Sequence, residues 1–168
     1  MSEDSKYLLD ANIFIQAHQS YYAFDIAPSF WEKLIHNAKD DKLMSIDKIM
    51  EELKNGDDND LLENWATNKF QDWFMSCSNK EVFKRYSQII DWSQKSTHFK
   101  EAAKDEFARS ADSWVLAYAK AYNHTIVTHE KYDANNKKRI KIPNVCEKFS
   151  ISYTDTFSML RNLDVKIG

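Results

Sequence analysis

Tyr7-Leu8-Leu9-Asp10-Ala11-Asn12-Ile13-Phe14-Ile15-Gln16-Ala17 reads as a short apolar run that stops at an acid and passes at once into a helical stretch capped by Asn12. The same alternation recurs along the chain. Leu43-Met44-Ser45 is a second short run, followed by a helix through Ile46, Ile49, Met50 and Leu53 that Gly56 ends. Thr125-Ile126-Val127-Thr128 is a β-branched third strand, and Ile151-Ser152-Tyr153 is the last. Thr154 then caps a closing helix with Phe157, Met159, Leu160 and Leu163. Pro28 starts a helix whose apolar residues Trp31, Leu34, Ile35 and Ala38 fall at helical spacing, and Pro143 opens another with Val145, Cys146 and Phe149. Apolar strands alternating with helices predict an α/β fold in three layers, with a central parallel sheet of about four to five short strands flanked by helices. From Leu61 to Phe107 the pattern is helical throughout, a middle insertion on that frame that includes Trp65, Phe70, Trp73, Phe74, Tyr86 and Ile89.

The composition narrows the function classes. The chain has 168 residues, enough for a single domain over 1–168 with a sizeable core. With 43% apolar and 29% charged residues it is neither disordered nor built to span a membrane. Gly56 and Gly168 are the only glycines, so no Gly-rich loop can cradle a nucleotide phosphate. The opening Met1-Ser2-Glu3-Asp4-Ser5-Lys6 lacks an apolar signal stretch, and the expectation is a cytoplasmic protein. Cys77 and Cys146 stand apart and read as reduced structural thiols, Cys146 on an apolar stripe. The formal charge of −3 conceals a split. Residues 1–65 carry 6 basic and 14 acidic side chains, residues 66–168 carry 17 and 12. Asp57-Asp58-Asn59-Asp60, read as a solvated loop, accounts for three of the early acids. The rest suits an acidic pocket with a basic rim, an arrangement that holds cations beside a polyanion.

Four acids are the candidates for chemistry. Ligands of open parallel sheets bind beyond the carboxyl ends of the strands, where Asp10 falls; a helix cap is the competing reading for it. Asp112 shares a helix face with Val115, Leu116 and Ala119, so its carboxylate needs a partner. A metal ion supplies one; helix capping by Asp112, or by Ser110 in its place, is the alternative. Of Glu51 and Glu52 only one can face inward. Glu130, in Thr128-His129-Glu130, adds a carboxylate at a strand end. Four such acids gathered together repel one another unless cations intervene, and Mg²⁺ or Mn²⁺ suits an all-oxygen site. A nuclease reading of these acids fails if Asp10 and Asp112 lie far apart, or if an Arg or Lys clamps either of them. His129-Glu130-Lys131-Tyr132-Asp133 misses the zinc-protease pattern, having Asp where the second His belongs.

These residues resemble the motifs of the PIN-domain nucleases, in particular toxins of the VapC type. Tyr7-Leu8-Leu9-Asp10-Ala11-Asn12 is similar to that family's opening strand ending in Asp-x-Asn. Ile49-Met50-Glu51-Glu52-Leu53 resembles its helix in which an acid precedes an apolar residue, which selects Glu52 over Glu51. Ala111-Asp112-Ser113-Trp114-Val115 resembles its third motif, and Ile126-Val127-Thr128-His129-Glu130 its fourth, with Glu130 in place of the usual Asp. Asp133 is the alternative fourth acid. Lys141-Ile142-Pro143-Asn144-Val145-Cys146 resembles a branch that also carries Thr-His-Glu.

The resemblance implies a Mg²⁺- or Mn²⁺-dependent endoribonuclease, one half of a toxin–antitoxin pair. Asp10, Glu52 and Asp112 would hold one ion, and Glu130 would help place a second ion or a water. Asn12 and Thr128 would support the carboxylates by hydrogen bonds. Expected partners are an RNA substrate, a cognate antitoxin and a second copy in a homodimer. Lys137, Lys138, Arg139 and Lys141 would track the RNA backbone, a solvated face being the competing reading. Trp65, Trp73 and Trp92 read as core before base-stacking platforms. Two other functions compete with the nuclease: a catalytically weak PIN-like module that binds RNA or protein, and a metal-dependent phosphatase.

Overall fold

The computed structural model describes residues 5–55 and 60–167. The helix stop expected at Gly56 and most of the acidic run, Asp57-Asp58-Asn59, lie outside them. The first strand, β1 (Tyr7–Leu9), leads into α1 (Ala11–Gln16), which continues as a π-helical turn over Ala17–Tyr21. Next come α2 (Pro28–Lys39), β2 (Leu43–Ile46) and α3 (Asp47–Lys54). Beyond α4 (Asp60–Asn68) and a short 3₁₀ turn at Gln71–Trp73, β3 (Phe74–Met75) is followed by α5 (Lys80–Lys95) and α6 (Glu101–Arg109). The remaining elements are α7 (Ala111–Tyr122), β4 (Thr125–Val127), α8 (Ile142–Phe149), β5 (Tyr153–Thr154) and α9 (Thr156–Asn162).

The five strands form one parallel sheet in the order β3-β2-β1-β4-β5. The α/β architecture with a short-stranded parallel sheet is the one expected. Three findings refine it. The helical middle contains the edge strand β3, too short for a two-residue period to register beside Phe70 and Trp73. The cap of α1 is Asp10, whose Oδ1 accepts the Ala11 N–H at 2.8 Å, and not Asn12. The cap of α9 is Asp155, which accepts from Ser158 N, and not Thr154, which pairs in β5. Asp10 precedes Asn12 by two residues and Asp155 follows Thr154 by one, so both helices start within two residues of the expected caps.

The register pairs Leu8 with Met44 on one side and with Ile126 on the other, and all three are buried. Ser45, fully buried on β2, donates its hydroxyl to Leu9 O at 2.8 Å and so is satisfied within the sheet. Phe14 of α1 lies against Trp65, Phe70 and Phe74, with centroids 5.8–5.9 Å apart, tying α4 and β3 to the first helix. Helix α7 is apolar almost all round because α5, α8 and β4 all pack on it. Tyr86 of α5 stacks on Trp114 of α7 at 3.9 Å. Trp65 is buried, and Trp73 and Trp92 pack against the core. No described helix is long and apolar enough to cross a membrane.

The strand order determines where a site can form. The chain leaves β1 toward β2 and β3 on one side, then returns to place β4 and β5 on the other. Successive connections therefore diverge between β1 and β4 and open a crevice at their carboxyl ends. Asp10 and Thr128 are the residues that follow these two strands.

Candidate functional site

Asp10 is held in the mouth of the crevice by one backbone bond to β4 and by its own cap on α1. Its N–H donates to Val127 O at 3.1 Å, and Oδ1 caps α1. The residue is only 2% exposed. Oδ2 meets the Thr128 hydroxyl at 3.4 Å, a long contact, and that hydroxyl also accepts from Glu130 N at 3.1 Å. Thr128 thus stands between the Asp10 carboxylate and the Glu130 backbone. Asn12 lines the same cleft but makes no side-chain hydrogen bond to any of the four acids among the described residues.

Asp112 arrives from across the cleft, in the first turn of α7, where the helix dipole favours a negative charge. Ser110 occupies the N-cap position, though without a side-chain cap bond. Asp10, Glu52 and Asp112 line one cleft of about 610 Å³. Glu51 lines it too, but it is Glu52 whose charge acts on both Asp10 and Asp112.

The electrostatics are those of crowded acids. Burial first, then Asp112, Glu130 and Glu52, push the Asp10 carboxyl well above the ordinary carboxylate range; the Ala11 N–H opposes them. Burial, followed by Glu130, raises Asp112 to about 7, against the pull of Arg139. Glu52 is raised by burial as well, with Arg139 again opposing.

Arg139 corrects one expectation. Within the basic segment, Asn136 Oδ1 accepts from both Lys138 N and Arg139 N, a turn that leaves Lys137 and Lys138 exposed and sets the half-exposed Arg139 at the cleft. Its Nη2 binds Glu130 Oε1 at 2.7 Å and stands 3.7 Å from Asp112 Oδ2. Arg139 is therefore a counter-ion of the cup, not one of four lysine and arginine residues along an outer track. The contact with Asp112 is beyond hydrogen-bond length, and Asp112 keeps a raised proton affinity, so the guanidinium only partly offsets the acids. Asp10 has no ion-pair partner among the described residues.

Glu130 is committed elsewhere. Oε1 holds Arg139, and Oε2 accepts the Ile142 N–H at 2.8 Å, capping α8. Asp133 does not replace it: the side chain accepts from Asn135 N in its own exposed loop and lies outside the cleft. Three basic residues that the sequence did not single out for this place, or placed elsewhere, form the rim: Lys48, Arg109 and Arg139. Lys48 Nζ lies 5.4 Å from the Trp114 ring centre, which anchors it there. The helical periodicity of α3 could have shown that Lys48 shares a face with Glu51 and Glu52.

The donor set is all oxygen, and its most buried member, Asp10, has a carboxylate oxygen with only a long hydroxyl contact, which fits a hard divalent cation. As placed, no three His, Cys, Asp or Glu side chains among the described residues stand close enough together to hold one. An ion would have to draw Asp112 and Glu52 toward Asp10 and away from Arg139.

No curated protein matches the chain. Residues 7–167 match a family described as a domain of unknown function (DUF4411), and the chain belongs to that family.

Proposed function

We propose that the chain is a PIN-like ribonuclease that hydrolyses RNA phosphodiesters with a bound Mg²⁺ or Mn²⁺, and that it acts as the toxin of a toxin–antitoxin pair in the cytoplasm. The observation that carries this reading is that Asp10, Asp112 and Glu52 line one cleft at the point where the sheet order reverses, each with its proton affinity raised. Asp10, Asp112 and Glu52 would hold the ion. Such an ion supplies Lewis-acid polarisation of the phosphate and a water of lowered pKa. The chain's own residues do the rest. Thr128 fixes the orientation of Asp10, and Lys48 and Arg109 on the rim receive the phosphate oxygens of the strand. Glu130 acts through Arg139, holding the guanidinium beside Asp112.

The test is cleavage of a single-stranded RNA by pure protein with Mn²⁺ and with Mg²⁺. Intact RNA under both conditions refutes the enzyme reading. Expression in a host should slow growth, and Asp10→Ala or Asp112→Ala should abolish the effect; equal toxicity of both variants would refute the site. A cognate antitoxin and a homodimer belong to this same proposal. One observation favours the alternative, a binding module without catalysis: both Glu130 oxygens are occupied and a guanidinium already stands in the cup. RNA binding without cleavage would select it. Hydrolysis of a small phosphomonoester with RNA untouched would select the phosphatase.

A further inference from the structure

A second cleft, about 690 Å³, lies on the other side of the wall formed by Thr128 and Glu130. The two residues line the second cleft and contact residues of the first: Thr128 touches Asp10 with its hydroxyl, and Glu130 holds Arg139. What distinguishes this cleft is its rings. Tyr21, Tyr132 and Phe157 line it at 57%, 51% and 41% exposure, three of the most exposed large apolar side chains described. Single exposed aromatics need no explanation, but three around one concavity do.

The rings come from separate elements. Tyr21 ends the π-helical turn that prolongs the helix capped by Asp10, Tyr132 belongs to the loop after β4, and Phe157 stands in the first turn of α9. Tyr21 and Phe157 support each other edge to face, with centroids 6.1 Å apart. This leaves ring surface turned to solvent in a fixed place. Lys131 on the same wall adds a cation.

We infer that this cleft is a stacking subsite for an unpaired nucleobase of single-stranded RNA, next to the acidic cup. The inference rests on the reading of the cup as a ribonuclease centre and names what that centre takes: a strand whose bases are free to splay out. A π-face accepts any base, so the subsite selects unpaired structure and not sequence. Duplex RNA hides its base faces in its own stack and has nothing to offer these rings. Thr128 and Glu130, which touch Asp10 and Arg139 of the cup, also line the cleft that holds the rings, so a strand bound at the cup has the subsite beside it. The stacking role considered for Trp65, Trp73 and Trp92 passes to Tyr21, Tyr132 and Phe157, because only the latter combine exposure with a place beside the acids.

The experiment uses the full chain and two readouts. Binding of a short unstructured oligoribonucleotide carrying a fluorescent 2-aminopurine is followed in EDTA, and cleavage of the same strand is followed in Mn²⁺. The wild type should bind and quench the probe. Tyr21→Ala and Phe157→Ala should each weaken binding roughly tenfold or more, as loss of one base–aromatic stack does. Tyr21→Trp should restore it, and the exposure of both side chains keeps the fold intact in all variants. Duplex RNA should bind weakly and with no change between variants. Equal binding by wild type and both alanine variants overturns the inference, as does duplex RNA that competes as well as the single strand. Failure of the wild type to cleave, with quenching and its loss in the variants preserved, rejects the ribonuclease reading and keeps the stacking subsite.

Discussion

At the amino ends of β1 and β4 the polar groups are paired. His124 Nδ1 accepts the Lys6 N–H at 3.0 Å, Ser5 donates to Asn123 O, and Asn162 Nδ2 donates to the Tyr7 hydroxyl at 3.0 Å. Asn123 takes the left-handed conformation that closes α7. At the carboxyl ends of the same strands, a buried Asp10 faces Asp112, Glu52 and Glu130, and among the described residues only Arg139 forms ion pairs with any of these acids. Both ends come from the same three-residue pairing, so the sheet itself does not require the difference. One end is satisfied for stability; the other retains repulsion that only added positive charge relieves.

The largest effect expected is on cleavage. Asp10→Asn or Asp112→Asn should lower the single-turnover rate by about a thousandfold or more, the scale on which a metal contributes to catalysis. Asn162→Ala, at the opposite end, should leave the rate unchanged. Equal losses at both ends would reduce the comparison to one of folding.

The pH dependence of stability should have opposite signs at the two ends. Asp112 ionises near 3.8 unfolded and about 7 folded, so its contribution is complete below pH 3.8 and is lost as pH rises through about 7. His124 titrates near 6.5 unfolded and about 4 folded, driven down by burial and by Lys6, so its contribution is present above pH 6.5 and is lost as pH falls through about 4. The upper bounds are about 4 kcal/mol for Asp112 and about 3 kcal/mol for His124. Thermal melts of Asp112→Asn should lose stability more steeply on acidification than wild type, and those of His124→Gln less steeply. Parallel pH profiles for all three proteins would contradict both assignments.

A smaller effect tests Arg139 as counter-ion. Arg139→Ala should raise the Asp112 carboxyl above about 7, read by carbon NMR, because Arg139 is what opposes the rise. The accompanying loss of stability should be about 1 kcal/mol or less, since the guanidinium is half exposed. An unmoved Asp112 titration would show that the 3.7 Å contact has no electrostatic consequence.

Much of the fold and part of this contrast was legible in the sequence. Asp10 stood out because an apolar strand ended on it, and Asp112 because its helical neighbours were apolar. Both signals are local, and both acids reach the crevice. Arg139 was not legible, since a run of basic residues reads as a solvated face until the Asn136 turn sets one member against Glu130 and Asp112. The occupation of Glu130 by Ile142 N follows from the docking of α8, a tertiary event. Strand β3 escaped because two residues carry no period, and the rim cations because their convergence depends on how α3 and α6 lie across α7. Local pattern identified the acids; only packing identified what surrounds them.

The central claim is that the acids at the carboxyl end form a site for a divalent cation. Titration of the protein with Mn²⁺ near pH 7.5, followed by electron paramagnetic resonance of the free ion, tests it most directly. The account predicts saturable binding that is lost in Asp10→Asn and in Asp112→Asn, and a stability gain of about 2.7 kcal/mol at a hundredfold excess over Kd in the wild type alone. Binding that never saturates, or that is the same in wild type and both variants, would contradict it.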